Sequence, residues 1–161
     1  MATVYIDQKY ADMVSELSAY KTSFSGKTRS IFSTNMQLMV MAAMIGYDVA
    51  GEEELYPVSA KGNEIGDHIF KNNNMDGVAY LIALHKSKDG EILREKNENE
   101  VWRIFESYAN RGFEEINSWF ALDGVSDPEH VETLLNKMKE QACKNTTIEH
   151  SSADIDAVEN W

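Results

Sequence analysis

The chain has 161 residues, 43 % hydrophobic and 26 % charged, the proportions of one soluble globular domain able to bury a core. Its net charge of −12 excludes a whole-surface, non-specific nucleic-acid binder and leaves local basic patches or a basic protein partner. Cys143 is the sole cysteine, which excludes an intrachain disulfide and a thiolate metal cluster and suits a reducing cytoplasm.

MATVYIDQKYADM lacks the basic-then-apolar pattern of a secretory signal, so a cytoplasmic location is expected. Tyr10, Met13, Val14, Leu17 and Tyr20 recur at steps of three and four and predict a first amphipathic helix. Lys21 to Ser33 is rich in Ser, Thr and Gly and reads as a connector. From Met36 to Tyr47 only Gln37 interrupts the apolar residues before Gly46, the pattern of a helix buried all round. That run is well short of the ~20 residues a bilayer span needs, so no membrane role is expected. Ser33 or Thr34 can cap its start, and Gly46 is expected to help end it.

Residues 48–61 read as a loop, with residues 55–58 as an extended piece. Ile65, Ile69 and Phe70 predict a short helix closed by Asn72, Asn73 and Asn74. The next helix runs from Asp76, as N-cap, to about Lys86, and residues 91–94 form a brief strand or a bridging turn. Val101, Ile104, Phe105, Tyr108, Phe113, Ile116 and Phe120 mark the longest periodic segment, which either bends at Gly112 or divides there. Asp127 and Pro128 open a final helix through Val131, Leu134, Leu135 and Met138. The expected fold is therefore mainly α: five to six helices around a buried central helix, with at most short β pieces near 55–58 and 91–94. A single domain spans 1–144 and an acidic tail follows at 145–161.

Catalytic signatures are missing. The four histidines form no HExxH motif, and Gly26-Lys27-Thr28 has Lys21 where a phosphate-binding loop requires its upstream glycine. Glu64, Asp67 and His68 place metal-type groups on one turn, but in so acidic a chain they read as a solvated face. No catalytic residue, cofactor or metal ligand is assigned, and the chain is read as non-enzymatic. Two basic clusters stand out, Lys21, Lys27 and Arg29 in the connector and Lys86, Lys88, Arg94 and Lys96 around Gly90. From these, Lys27, Arg29, Arg94 and Lys96 are candidate phosphate contacts.

Ser30-Ile31-Phe32, the run Ala42 to Tyr47, Pro57, Ile69-Phe70, Ala79 to Leu84, Glu91-Ile92-Leu93 and Glu106 to Phe113 recur in one order. Over about residues 28–122 the chain thereby resembles the DNA phosphorothioation-associated (Dnd system-associated) protein 4 family. The resemblance implies the company of bacterial systems that place sulfur in the DNA backbone, or restrict DNA lacking it, in antiphage defence. It carries no catalytic motif. The expected function is an adaptor that binds a larger protein subunit of a modification or restriction complex, with Asn110, Arg111 and Phe113 as the contact corner. A DNA-binding or regulatory module and an acidic DNA mimic are the alternatives.

Overall fold

A computed structural model describes residues 2–18, 21–23, 26–28, 30–50, 56–123 and 130–149. The described residues form β1 (Thr3–Asp7), α1 (Ala11–Ser18), β2 (Lys21–Ser23), β3 (Gly26–Thr28), α2 (Asn35–Ala50), β4 (Lys61–Gly66), α3 (Asp67–Asn72), α4 (Asp76–Ser87), α5 (Glu98–Asp123) and α6 (Val131–Glu149). The mainly α fold holds, with six α-helices among these residues and two small antiparallel sheets, β1–β4 and β2–β3. None of these helices is long and apolar enough to cross a membrane. The chain divides into two compact units, residues 1–118 and 119–161.

In the first unit, α2 buries Met36, Leu38, Met39, Val40, Ala42 and Ala43 and leaves Met44 exposed. Thr34 Oγ1 accepts from the Gln37 amide at 3.2 Å, so the expected threonine cap is in place. Burial is deeper still along α5, where Val101, Trp102, Phe105, Tyr108, Ala109 and Phe113 are all at or below 2 % exposure. Phe70 of α3 packs on Trp102 and Phe105 with ring centroids 5.0 and 5.5 Å away, and Tyr47 of α2 lies 5.8 Å from Tyr108. Tilted and edge-on arrangements such as these suit the ring quadrupole. The centre is thus shared by two helices.

They approach at their glycines. A Cβ on Gly112 would stand 1.7 Å from the Ala42 carbonyl oxygen, and one on Gly46 would stand 1.9 Å from that of Tyr108. Gly46 was expected to end α2 and Gly112 to bend or divide α5, yet both lie inside uninterrupted helices. Each glycine removes a side chain where two backbones meet, so its role is contact and not termination.

The β pieces lie elsewhere than expected. Residues 56–58 are irregular, residues 51–55 lie outside the described residues, and Gly90–Leu93 is a 3-10 turn. Instead β1 pairs with β4 through Thr3–Gly66, Val4–Ile65 and Tyr5–Glu64, and the supposed connector contains the β2–β3 pair. Val4 and Ile6 are buried while Thr3 is exposed, the alternation of a strand with one face on the core. α4 begins at Asp76 with Met75 as its N-cap and stops at Lys88, whose left-handed φ of 55° turns its N–H onto the Leu84 carbonyl.

In the second unit, α6 runs past Lys144, where the tail was expected to begin, to Glu149. The Asp127-Pro128 start signal falls outside the described residues. His130, at φ 58°, precedes the helix, and its ring stacks on Phe120 with centroids 4.1 Å apart.

Candidate interaction cleft

One side of α5 is open. Asn99, Trp102, Arg103, Glu106 and Ser107 recur at helical spacing and form one wall of a cleft of about 360 Å³. Ala2, Thr3 and Tyr5 of the amino-terminal strand region, Pro57 and Val58 of the preceding loop, and Lys61 of β4 complete it. The loop is tied down by Asn110, whose side-chain amide donates to the Tyr56 carbonyl at 3.1 Å. The Arg111 guanidinium lies 5.6 Å from the centre of the Tyr56 ring and pairs with Glu115 at 3.4 Å. The Lys61 ammonium stands 4.4 Å over the Tyr5 ring on the opposite side.

Glu106 is the unusual member. It is 9 % exposed, and its Oε1 accepts the Tyr5 backbone N–H at 2.6 Å. Its Oε2 takes no hydrogen bond from the described residues yet is not sealed from solvent, so the cleft retains an unused carboxylate acceptor. Burial pushes the Glu106 carboxyl up from its ordinary value, against the Tyr5 N–H and the more distant charges of Arg103 and Lys61. Trp102 Nε1, buried nearby, has no hydrogen-bond partner among the described residues.

The two buried aspartates are arranged otherwise. Asp7 accepts from the Ser59 N–H at 2.7 Å, the Ser59 hydroxyl at 2.8 Å and the Lys9 N–H at 3.2 Å. Asp67 accepts from the Lys71 ammonium and from the His68 N–H, both at 2.9 Å. Burial alone would raise both carboxyls, but these donors together hold both below the ordinary value. Lys71 also bonds Glu98, which with Asp67 raises its ammonium well above the usual range.

The residues singled out in the sequence fare unequally. Asn110 is 3 % exposed and Phe113 fully buried, the latter with its ring centroid 5.5 Å from that of Tyr10. Neither offers the surface expected of it, because the periodicity that exposes Arg103 turns these two inward. Arg111 remains partly exposed. Lys27 and Arg29 fall where no side chain is described. Arg94 is exposed and pairs with Glu91 at 2.8 Å, and Lys96 is exposed one turn further on. Asp67, read as part of a solvated face, is 2 % exposed, and no three acidic, histidine or cysteine groups among the described residues converge on a metal position. Glu106, Arg103 and Lys61 went unnoticed because the strands that frame the cleft were not anticipated.

The fold and cleft define a small helical protein with a polar, solvent-open recess beside a two-stranded sheet. The chain belongs to the DNA sulphur modification system-associated protein 4 family, whose sequence model matches residues 4–153. The match extends beyond the 28–122 resemblance to include β1, α1 and α6. No curated protein and no solved structure shows a significant match to the chain.

Proposed function

We propose that the chain is a non-enzymatic adaptor of a DNA sulphur modification or linked restriction system, and that the α5 cleft receives a segment of a larger protein subunit. The observation carrying this reading is the unused Oε2 of Glu106 inside an open recess. That oxygen is open to solvent, and a partner that supplies an N–H to it gains a strong charge-assisted bond. Lys61 and Arg103 stand ready for acidic groups beside that donor, and Tyr5 and Pro57 offer apolar contact. The −12 charge of the chain favours encounter with a basic subunit. Proteins named for association with a modification system, lacking a catalytic motif, fit such a role.

The test is co-purification of the tagged protein from its host after nuclease treatment, at low and high salt. The expected result is a modification or restriction subunit retained by the wild type and lost on Lys61→Glu/Arg103→Glu and weakened on Glu106→Gln. Undiminished capture by all of these variants would remove the cleft from the reading. Recovery of DNA alone, lost as salt rises, would favour the DNA-binding alternative, for which Lys61 and Arg103 are further phosphate contacts beside Lys27, Arg29, Arg94 and Lys96.

A further inference from the structure

Helix α6 carries an apolar surface that the cleft does not use. Val131, Leu135 and Met138 are 45 %, 50 % and 44 % exposed, whereas Leu134 is 3 % exposed. Steps of four and three place the exposed three on one stripe, with buried Leu134 along one edge of it, three residues from Val131 and four from Met138. Glu132 and Lys139, both exposed, lie along one and the same flank of this stripe, two helical turns apart.

That pattern is self-complementary in one orientation only. When two copies of a helix pair antiparallel, the same flank of each meets the other. A twofold axis close to Leu135 then sets Glu132 of each copy against Lys139 of the other while the apolar stripes interleave. A parallel pair matches each flank with the opposite one, so the two complementary charges never meet. We infer that α6 is a homodimerisation helix, pairing antiparallel with α6 of a second copy through Val131, Leu135 and Met138 and two symmetric Glu132–Lys139 contacts. The contact is short, so the dimer is weak and concentration-dependent. Its consequence is a protein with two clefts, able to hold two partner segments at once. This inference does not depend on what the clefts bind.

Sedimentation equilibrium of the full chain from low to high micromolar concentration tests it. The expected result is a monomer–dimer equilibrium abolished by Leu135→Asp, with helical circular dichroism unchanged because Leu135 is half-exposed. Glu132→Lys and Lys139→Glu singly should each weaken dimerisation about tenfold, and the double exchange Glu132→Lys/Lys139→Glu should restore it. A monomer at every concentration, a dimer indifferent to Leu135→Asp, or a double exchange without rescue would each overturn the inference. The monomeric outcome would leave the stripe to residues 150–161 or to the larger subunit.

Discussion

The two sides of α5 show how one helix serves opposite demands. On the side of Gly112 it meets α2 backbone to backbone, with no space for a methyl group on either glycine. On the side of Glu106 it stands back from the sheet and leaves an open recess holding a half-satisfied carboxylate. The closed side is governed by shape, and a change there is felt throughout the unit. The open side is governed by polar pairing, so its tolerance depends on which donor or acceptor survives. Rigidity on one side helps hold the Glu106 side chain in place on the other.

The largest effect is expected on the closed side. Alanine is favoured over glycine in a helix by ~1 kcal/mol, but the added carbon of Gly112→Ala or Gly46→Ala meets a backbone oxygen that no rotamer change can move. The helices must part, and the expected loss is about 3 kcal/mol or more, read from denaturant unfolding. A stability equal to wild type would show that this contact is looser than described.

On the open side, Glu106→Ala leaves the Tyr5 N–H without its acceptor and should cost about 1–3 kcal/mol. Glu106→Gln keeps an oxygen for that bond and removes a buried charge, so its neutral-pH stability should equal or exceed wild type. If the two variants behave alike, the hydrogen bond to Tyr5 is not what Glu106 contributes.

Acid titration of stability separates the three buried carboxyls. Asp7 and Asp67 are held below their ordinary value of 3.8, so their contribution is present above that pH and disappears as the pH falls through the lowered range. Glu106 is held above its ordinary value of 4.5, so its contribution is present below that pH and is lost as the pH rises through the raised range. Asp7→Asn should therefore melt lower than wild type at neutral pH, with the gap narrowing as the pH drops below about 4. Glu106→Gln should instead flatten the decline on the neutral side. The smallest effect is expected from Arg103→Glu, an exposed position, whose stability should stay within about 0.5 kcal/mol of wild type while partner capture falls.

Much of the helical frame was legible because the apolar period is strong in Tyr10–Leu17, Met36–Tyr47 and Val101–Phe120. β1 left a signal too in Thr3-Val4-Tyr5-Ile6-Asp7, where buried Val4 and Ile6 alternate with Thr3 and Tyr5, but its proximity to a helix start concealed it. β4 was not, since Lys61-Gly62-Asn63-Glu64-Ile65-Gly66 has little strand propensity and is held by its pairing with β1. The glycines misled for a related reason: a close helix contact and a helix end both call for a missing side chain, and only the third dimension tells them apart. The cleft followed the same logic. Its carboxylate lies within the segment Glu106–Phe113 that carried the family resemblance, but its meaning comes from Tyr5, a hundred residues earlier in the chain.

That Tyr5–Glu106 bond has a consequence for solubility. A two-stranded sheet has no interior strand, so β1 necessarily presents an outer margin, and the Tyr5 N–H belongs to it. A bare margin of this kind is a template for strands from other molecules. Glu106 occupies it with a side chain, as a neighbouring strand would with a carbonyl, and adds charge that discourages stacking. The residue offered to partners on one oxygen thus guards against unwanted assembly with the other, and its loss should surface in the cell first as inclusion bodies.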